Sequence, residues 1–361
     1  MTTENLDALF GMYSEAILAV RGDIIAYYNG AARRLLPDNE QMAPNDIFPS
    51  AVLELNSDNL VGEIDIAGKR STYSAARFSE YRIFSVLAIE DNGETLNSAA
   101  LSAMSLEMKN YLAILKLASG AVLPYVENTG DKRLREYAAM INRSYYNILR
   151  LTSNIEALGI GRGAADGIRR SRFDLVQVCR EISEACAYLV EDRGLKLSFN
   201  CACEEVTISA DRDKIEQMLL NMISNSIACT KKGGDITVSV TLSGESALIK
   251  VSDTGTGIPC EIRQSVWSRY RQPRELSDVK SGAGFGMAAV SQIARMHGGS
   301  MFLESREGAG ATVAASIPIV REENLSVRDE LAVYRSDGIS PILTGLSTVL
   351  GYDKFMQKYM D

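Results

Sequence analysis

Histidine is nearly absent: the 361 residues hold one, His297. The six cysteines, Cys179, Cys186, Cys201, Cys203, Cys229 and Cys260, include no CxxC pair. Cys201 and Cys203 form a CxC, but with a single distant histidine this argues against a zinc site, and reduced thiols are expected. No uninterrupted apolar run of about 18 residues occurs, and the opening MTTENLDALF lacks a signal pattern. Membrane insertion is therefore not expected, and the predicted location is cytoplasmic. Basic runs are missing too. A net charge of −8 and a pI near 5.1 argue against nucleic acid or an anionic membrane as partner. What is left is a length sufficient for two or three domains.

The informative stretch runs from Asp211 to Pro318. It reads DRDKIEQMLLNMISNSIACT, then VSDTGTGIP, then SGAGFGMAAVSQIARMHGG, then EGAGATVAASIP. Met218, Leu219, Met222, Ile223, Ser226 and Ile227 recur at helical spacing, which predicts an amphipathic helix. Asn221 and Asn225 share one face of it. Magnesium takes oxygen ligands and keeps several waters, so an amide oxygen beside a triphosphate suits it. The apolar run Ala247 to Val251 predicts a strand entering Asp253-Thr254-Gly255-Thr256-Gly257. Gly255 and Gly257 permit backbone angles closed to other residues and a close approach to a ligand. Gly282, Gly284 and Gly286 lead into a second helix, whose free N–H groups and dipole favour a phosphate. A dinucleotide fold does not fit this string, because no strand, glycine loop and helix open a parallel sheet here.

In order and spacing these four pieces resemble the ATP-binding domain of sensor histidine kinases, within a superfamily that includes DNA gyrase and heat-shock chaperones. The resemblance is dense from Phe173 to Val320 and looser upstream. It implies ATP and magnesium as cofactors, Asn225 as metal ligand, Asn221 as its support and Asp253 as acceptor for the adenine amino group. It also places Thr312 near the adenine. Gly255, Gly257, Gly282, Gly284 and Gly286 would line the nucleotide, and residues 272–280 would form a lid. Relatives often carry a basic and an aromatic residue after the metal asparagine; this chain has Ala228 and Cys229, with Lys231 and Lys232 close by. Trp267 reads as core. His297, in the HGG that ends the second helix in relatives, reads as structural.

Upstream, residues 1–92 alternate short helical and strand signals. Ala16 to Leu36 resembles the start of a PAS domain, with Asn29 leading into a short helix. Residues 93–162 carry two long helical patterns around a loop at Asn128–Asp131, the form of a hairpin that closes a four-helix bundle across a dimer axis. This resembles the dimerisation and phosphoacceptor region of histidine kinases. Where relatives carry the acceptor histidine, this chain has Leu106, whose alkyl side chain has no nucleophile. Glu107 stands where relatives keep a carboxylate, and Asn110 where some orient water to dephosphorylate a response regulator. Residues 163–320 make the ATP-binding domain, and 321–361 are an extension outside the family pattern, read as a charged piece and then an apolar helix to Tyr359.

The expected architecture is thus multidomain α/β: a PAS-like α+β domain, a dimerising helical hairpin and a C-terminal α/β-sandwich ATP-binding domain. The expected role is a homodimeric signalling protein that binds ATP-Mg and works with a response regulator or other signalling partner. Four readings stay open: kinase-family signalling, a non-catalytic pseudokinase scaffold, a phosphatase acting through Asn110, and phosphorylation of another protein. A dedicated hydrolytic ATPase is disfavoured, because relatives of that kind have glutamate where Asn221 stands.

Overall fold

The computed structural model describes residues 16–36, 43–48, 60–66, 69–78, 81–88, 130–159, 168–258, 284–319 and 340–356, with scattered positions besides between 6 and 126. Leu106, Glu107, Asn110, Trp267, Gly282 and the 272–280 lid lie outside the described residues.

The N-terminal part opens with a hairpin, β1 (Ala16–Arg21) and β2 (Ile24–Tyr28), turned through Gly22 at φ +57°. Asn29 is wholly buried and caps the short helix α1 (Gly30–Leu35). Its Oδ1 accepts from Ala32 N at 2.9 Å and from Ile17 N at 3.0 Å, so one amide fixes both the helix start and its seat on β1. A four-residue helix, α2 (Pro44–Ile47), follows. Then come β3 (Leu60–Ile66), β4 (Lys69–Phe78) and β5 (Tyr81–Ala88), giving the antiparallel order β2-β1-β5-β4-β3.

The long helix α3 (Lys132–Gly159) leads to the C-terminal part. There β6 (Ser171–Asp174) pairs with β8 (Thr207–Ala210) in a small separate sheet. Helix α4 (Leu175–Val190) is capped by Asp174, whose carboxylate accepts from Val176 N and Gln177 N, and it continues into a 3-10 turn (Glu191–Arg193). Strands β7 (Lys196–Cys201), β9 (Asp235–Ser243), β10 (Ser246–Asp253), β11 (Met301–Ser305) and β12 (Ala311–Pro318) form the main sheet. Helices α5 (Arg212–Cys229) and α6 (Gly284–Met296) lie on it.

Strand alternation assigns the faces. Ile249, Val251, Val313, Ala315, Met301 and Leu303 point to the helices and share their core. Leu248, Phe302 and Ala314 point the other way and belong to the core of the N-terminal part, with Leu60, Phe84 and Phe48. The two parts also join edge to edge: β3 pairs antiparallel with β11, setting Gly62 against Phe302 and Leu60 against Glu304. The result is one ten-stranded sheet, β2-β1-β5-β4-β3-β11-β12-β10-β9-β7. Its N-terminal half is covered by α1 and α2 on one face, its C-terminal half by α4, α5 and α6 on the other.

The extension does not form the apolar helix running to Tyr359 that its periodicity predicts. It breaks after α7 (Pro341–Leu346) and resumes as a 3-10 turn (Tyr352–Phe355) begun by an extended Gly351. Leu343, Leu346, Leu350 and Phe355 join the core of the C-terminal part. Gly345 lets α7 close on α5, since a Cβ there would meet Leu220 Cβ at 2.6 Å. Among the described residues no helix is long and apolar enough to cross a membrane.

Phe302 is 1% exposed and spans the seam between the halves. Phe302→Ala should cost about 3–5 kcal/mol, read by urea denaturation. A loss below about 1 kcal/mol would mean that the seam is not packed.

Candidate functional site

The site is built between α5, the turn after β10 and the start of α6. Helix α5 begins at Asp211, whose Oδ1 accepts from Lys214 N at 3.2 Å. Its inward residues Ile215, Met218, Leu219, Met222, Ile223 and Ile227 are buried, and this fixes where the two asparagines stand. Asn225 is half-buried and its carboxamide makes no hydrogen bond to another described residue, so it is available to a ligand. Asn221, one turn earlier, is 3% exposed and fully committed. Its Oδ1 accepts from Arg150 Nη2 at 3.1 Å and Asn154 Nδ2 at 3.4 Å, and its Nδ2 donates to Asn154 Oδ1 at 2.8 Å. Gln217 Nε2 adds bonds to Ser153 O at 2.9 Å and Asn154 Oδ1 at 3.1 Å. Asn221 thus ties α5 to α3, where the sequence reading made it a support for Asn225.

Asp253 closes the glycine turn. Its Oδ1 accepts from Gly255 N at 2.9 Å and from Ala311 N at 3.3 Å, and it is 8% exposed. Burial pushes its carboxyl above the usual carboxylate value, against hydrogen bonding that favours the anion. The wholly buried Ser226 hydroxyl on α5 faces this carboxylate without closing a hydrogen bond of ordinary geometry. A ligand amino group donating to Asp253 would compensate the desolvation. The turn itself leaves no room for side chains. A Cβ at Gly255 would meet Cys229 O at 2.6 Å, and one at Gly257 (φ +64°) would meet Arg306 O at 2.0 Å.

Thr312 is a correction. Register sets Ala311, not Thr312, opposite Asp253. Because side chains alternate across a strand, Thr312 points to the other face, where its Oγ1 bonds Ser252 Oγ at 2.9 Å. The pattern of a strand entered through Gly310 was legible, but a one-residue offset reverses the face.

Gly284 and Gly286 lie in the first turn of α6. A Cβ at Gly286 would stand 3.1 Å from Asn221 Oδ1 and 3.5 Å from Arg150 Nη2, so this glycine admits the α3–α5 junction to the helix start. Lys231 and Lys232 are exposed at the turn after α5, and Lys232 lays its alkyl chain against Gly194. Arg150 and Asn154 were missed from sequence. Their signal was polar side chains in an apolar stripe of α3 that also holds Tyr146 and Ala157.

His297 is 2% exposed, with Nε2 accepting from Asp211 N at 3.0 Å and Nδ1 at 2.8 Å from Ile293 O, which assigns the proton to Nδ1. Helix α6 then ends at Gly298 (φ +80°), with Gly299 N bonding Ala294 O at 2.8 Å.

The residues fit an adenine nucleotide with a divalent ion: a buried acceptor facing an orphaned hydroxyl, an uncommitted amide oxygen, and glycines at a helix start. The comparisons define the same class. Residues 210–321 match the family described as histidine kinase-, DNA gyrase B-, and HSP90-like ATPase.

Curated relatives include histidine kinases. The chain is 28% identical to histidine protein kinase DivJ of Caulobacter vibrioides over 220 residues, 61% of this chain and 37% of that protein. It is 26% identical to sensor protein SrrB of Staphylococcus aureus over 240 residues, 63% of this chain and 39% of that one. The match thus spans less than half the length of these relatives. Among solved structures, full-length ShkA in complex with AMPPNP is 21% identical, with a TM-score of 0.49 over 66% of this chain and 48% of that one. Histidine kinase ThkA in complex with response regulator TrrA is 18% identical, with a TM-score of 0.41 over 88% of this chain and 99% of that one.

Burial, opposed chiefly by the bond to Ile293, holds the His297 imidazole below its ordinary 6.5. The unfolded chain therefore takes up this proton more readily, so the contribution is complete above about pH 6.5 and is lost as pH falls. His297→Gln should be about 1–3 kcal/mol less stable than wild type at pH 7.5. The gap should narrow at pH 5, as read by urea midpoints; a gap that widens with acid would contradict the neutral assignment.

Proposed function

We propose that this chain binds ATP-Mg between α5, the Asp253 turn and the start of α6, and acts in two-component signalling with a response regulator. Asn225 is the magnesium ligand and Asp253 the adenine acceptor. Gly255, Gly257, Gly282, Gly284 and Gly286 let the backbone approach the nucleotide. When bound, the nucleotide supplies a transferable phosphoryl group, and the residues here position it and screen its charge. The observation that carries the reading is the buried Asp253 carboxylate facing Ser226 of α5, the helix that also carries the uncommitted Asn225, within the segment that matches the ATPase family. The histidine kinases among the curated relatives, and the sensor protein SrrB, support the signalling role.

The N-terminal strand order β2-β1-β5-β4-β3, with Asn29 at the helix start, supports the PAS-like reading of residues 1–92. Exposed Leu134, Tyr137, Ile141 and Ile148 make an apolar stripe on α3, which supports a homodimer through the 93–162 hairpin.

One observation favours a pseudokinase within this reading. Leu106 replaces the acceptor histidine, and the sole imidazole is buried with both nitrogens bonded. Signalling would then run through nucleotide-dependent shape, or through Asn110 and Glu107 acting on a phosphorylated partner.

Labelled ATP with magnesium should leave no acid-labile label on the chain, and label that appears would refute the loss of self-phosphorylation. Asn225→Ala should remove magnesium-dependent ADP binding in titration calorimetry; unchanged affinity would end the metal assignment.

A further inference from the structure

Arg150 is a buried charged residue that the functional reading leaves without a role. It projects from α3 to the first turn of α6 and is 8% exposed. Its Nη1 bonds the Thr348 hydroxyl of the extension, its Nη2 bonds Asn221 Oδ1, and its Nε has no partner. Both acceptors are neutral. Among the described residues no carboxylate pairs with it. Burial accordingly pulls the guanidinium down to about 10.

A buried charge without a counter-ion is costly, and proteins rarely keep one unless something pairs with it. The surroundings make the cost larger. Nη2 stands 3.5 Å from where a Cβ of Gly286 would be, in the first turn of a thirteen-residue helix. That helix end carries free N–H groups and the positive pole of the dipole. Two positive features thus converge, and both are satisfied by an anion set between them. The basic residue that relatives often carry after the metal asparagine is Ala228 here, and Lys231 and Lys232 are exposed at the turn beyond.

We propose that Arg150 is the cation that binds the phosphate end of the nucleotide, reaching it from the hairpin helix in place of a basic residue on α5. This rests on the nucleotide reading above. A guanidinium gives a phosphate paired, charge-assisted hydrogen bonds that an ammonium does not match in geometry. It also makes affinity conditional on α3 lying against α5. Because Thr348 bonds the same guanidinium, the docked extension fixes where that charge is held.

Titration calorimetry of the full chain with ADP-magnesium and with adenosine tests this. Arg150→Gln keeps a donor for Asn221 but removes the charge. It should weaken ADP by about tenfold or more and leave adenosine within about twofold. Arg150→Lys should recover part of the loss. Equal losses for both ligands, no loss for either, or no recovery with lysine would overturn the proposal. If wild type binds neither ligand, the nucleotide reading itself fails. The anion site is then judged with tripolyphosphate alone: thermal stabilisation abolished by Arg150→Gln keeps it, and no stabilisation ends it.

Discussion

The Asn221 carboxamide, buried where α3, α5 and α6 meet, sets the arrangement of the C-terminal part. A buried amide must have its hydrogen bonds made, and here they are made by bringing α3 in at the register of Arg150 and Asn154. Gly286 then lets the start of α6 close on the same point. The extension seals it from outside: Arg143 Nε donates to Ser347 O at 3.2 Å, Asn142 Nδ2 to Phe355 O at 3.1 Å, and Lys354 pairs with Asp192 at 2.9 Å. Four separate segments therefore share one polar junction next to the glycine loop. Movement of α3 away from α5 leaves Asn221 and Arg150 unsatisfied together.

A second constraint runs through the sheet. The pairing of β3 with β11 makes the N-terminal part an extension of the sheet that carries Asp253. Leu248, Phe302 and Ala314 are apolar on a face that the helices of their own domain do not cover, and the N-terminal core covers it. The strand that carries Asp253 is thus packed on both sides, by α5 on one and by the N-terminal core around Leu248 on the other. Strands β11, β12 and β10 form a continuous hydrogen-bonded path from the N-terminal part to Asp253.

Much of this was legible in the sequence, and the reasons are local. The apolar period of Met218 to Ile227, the alternation in β10 and the glycines at 255, 257 and 286 each reflect one element's own geometry. Asn29 was readable as a helix start because capping needs only neighbouring atoms. What was not legible depends on meetings between distant segments. Arg150 was passed over because its partners lie 71 and 198 residues away. The seam between β3 and β11 leaves no trace in either strand's pattern. Thr312 was misplaced by a single position, because strand period turns an offset of one into the opposite face. The break in the extension was hidden because its apolar spacing continues across Gly351 while its backbone does not.

The central claim is that a nucleotide sits between the Asp253 turn and the start of α6, against the junction held by Asn221. Amide hydrogen exchange of the full chain, with and without saturating ADP-magnesium, tests it most directly. The account predicts slowed exchange at Asp253–Gly257 and at Gly284–Ala288, spreading to the α3 segment around Arg150. Unchanged exchange at both of those segments, with protection confined to other parts of the chain, would contradict it.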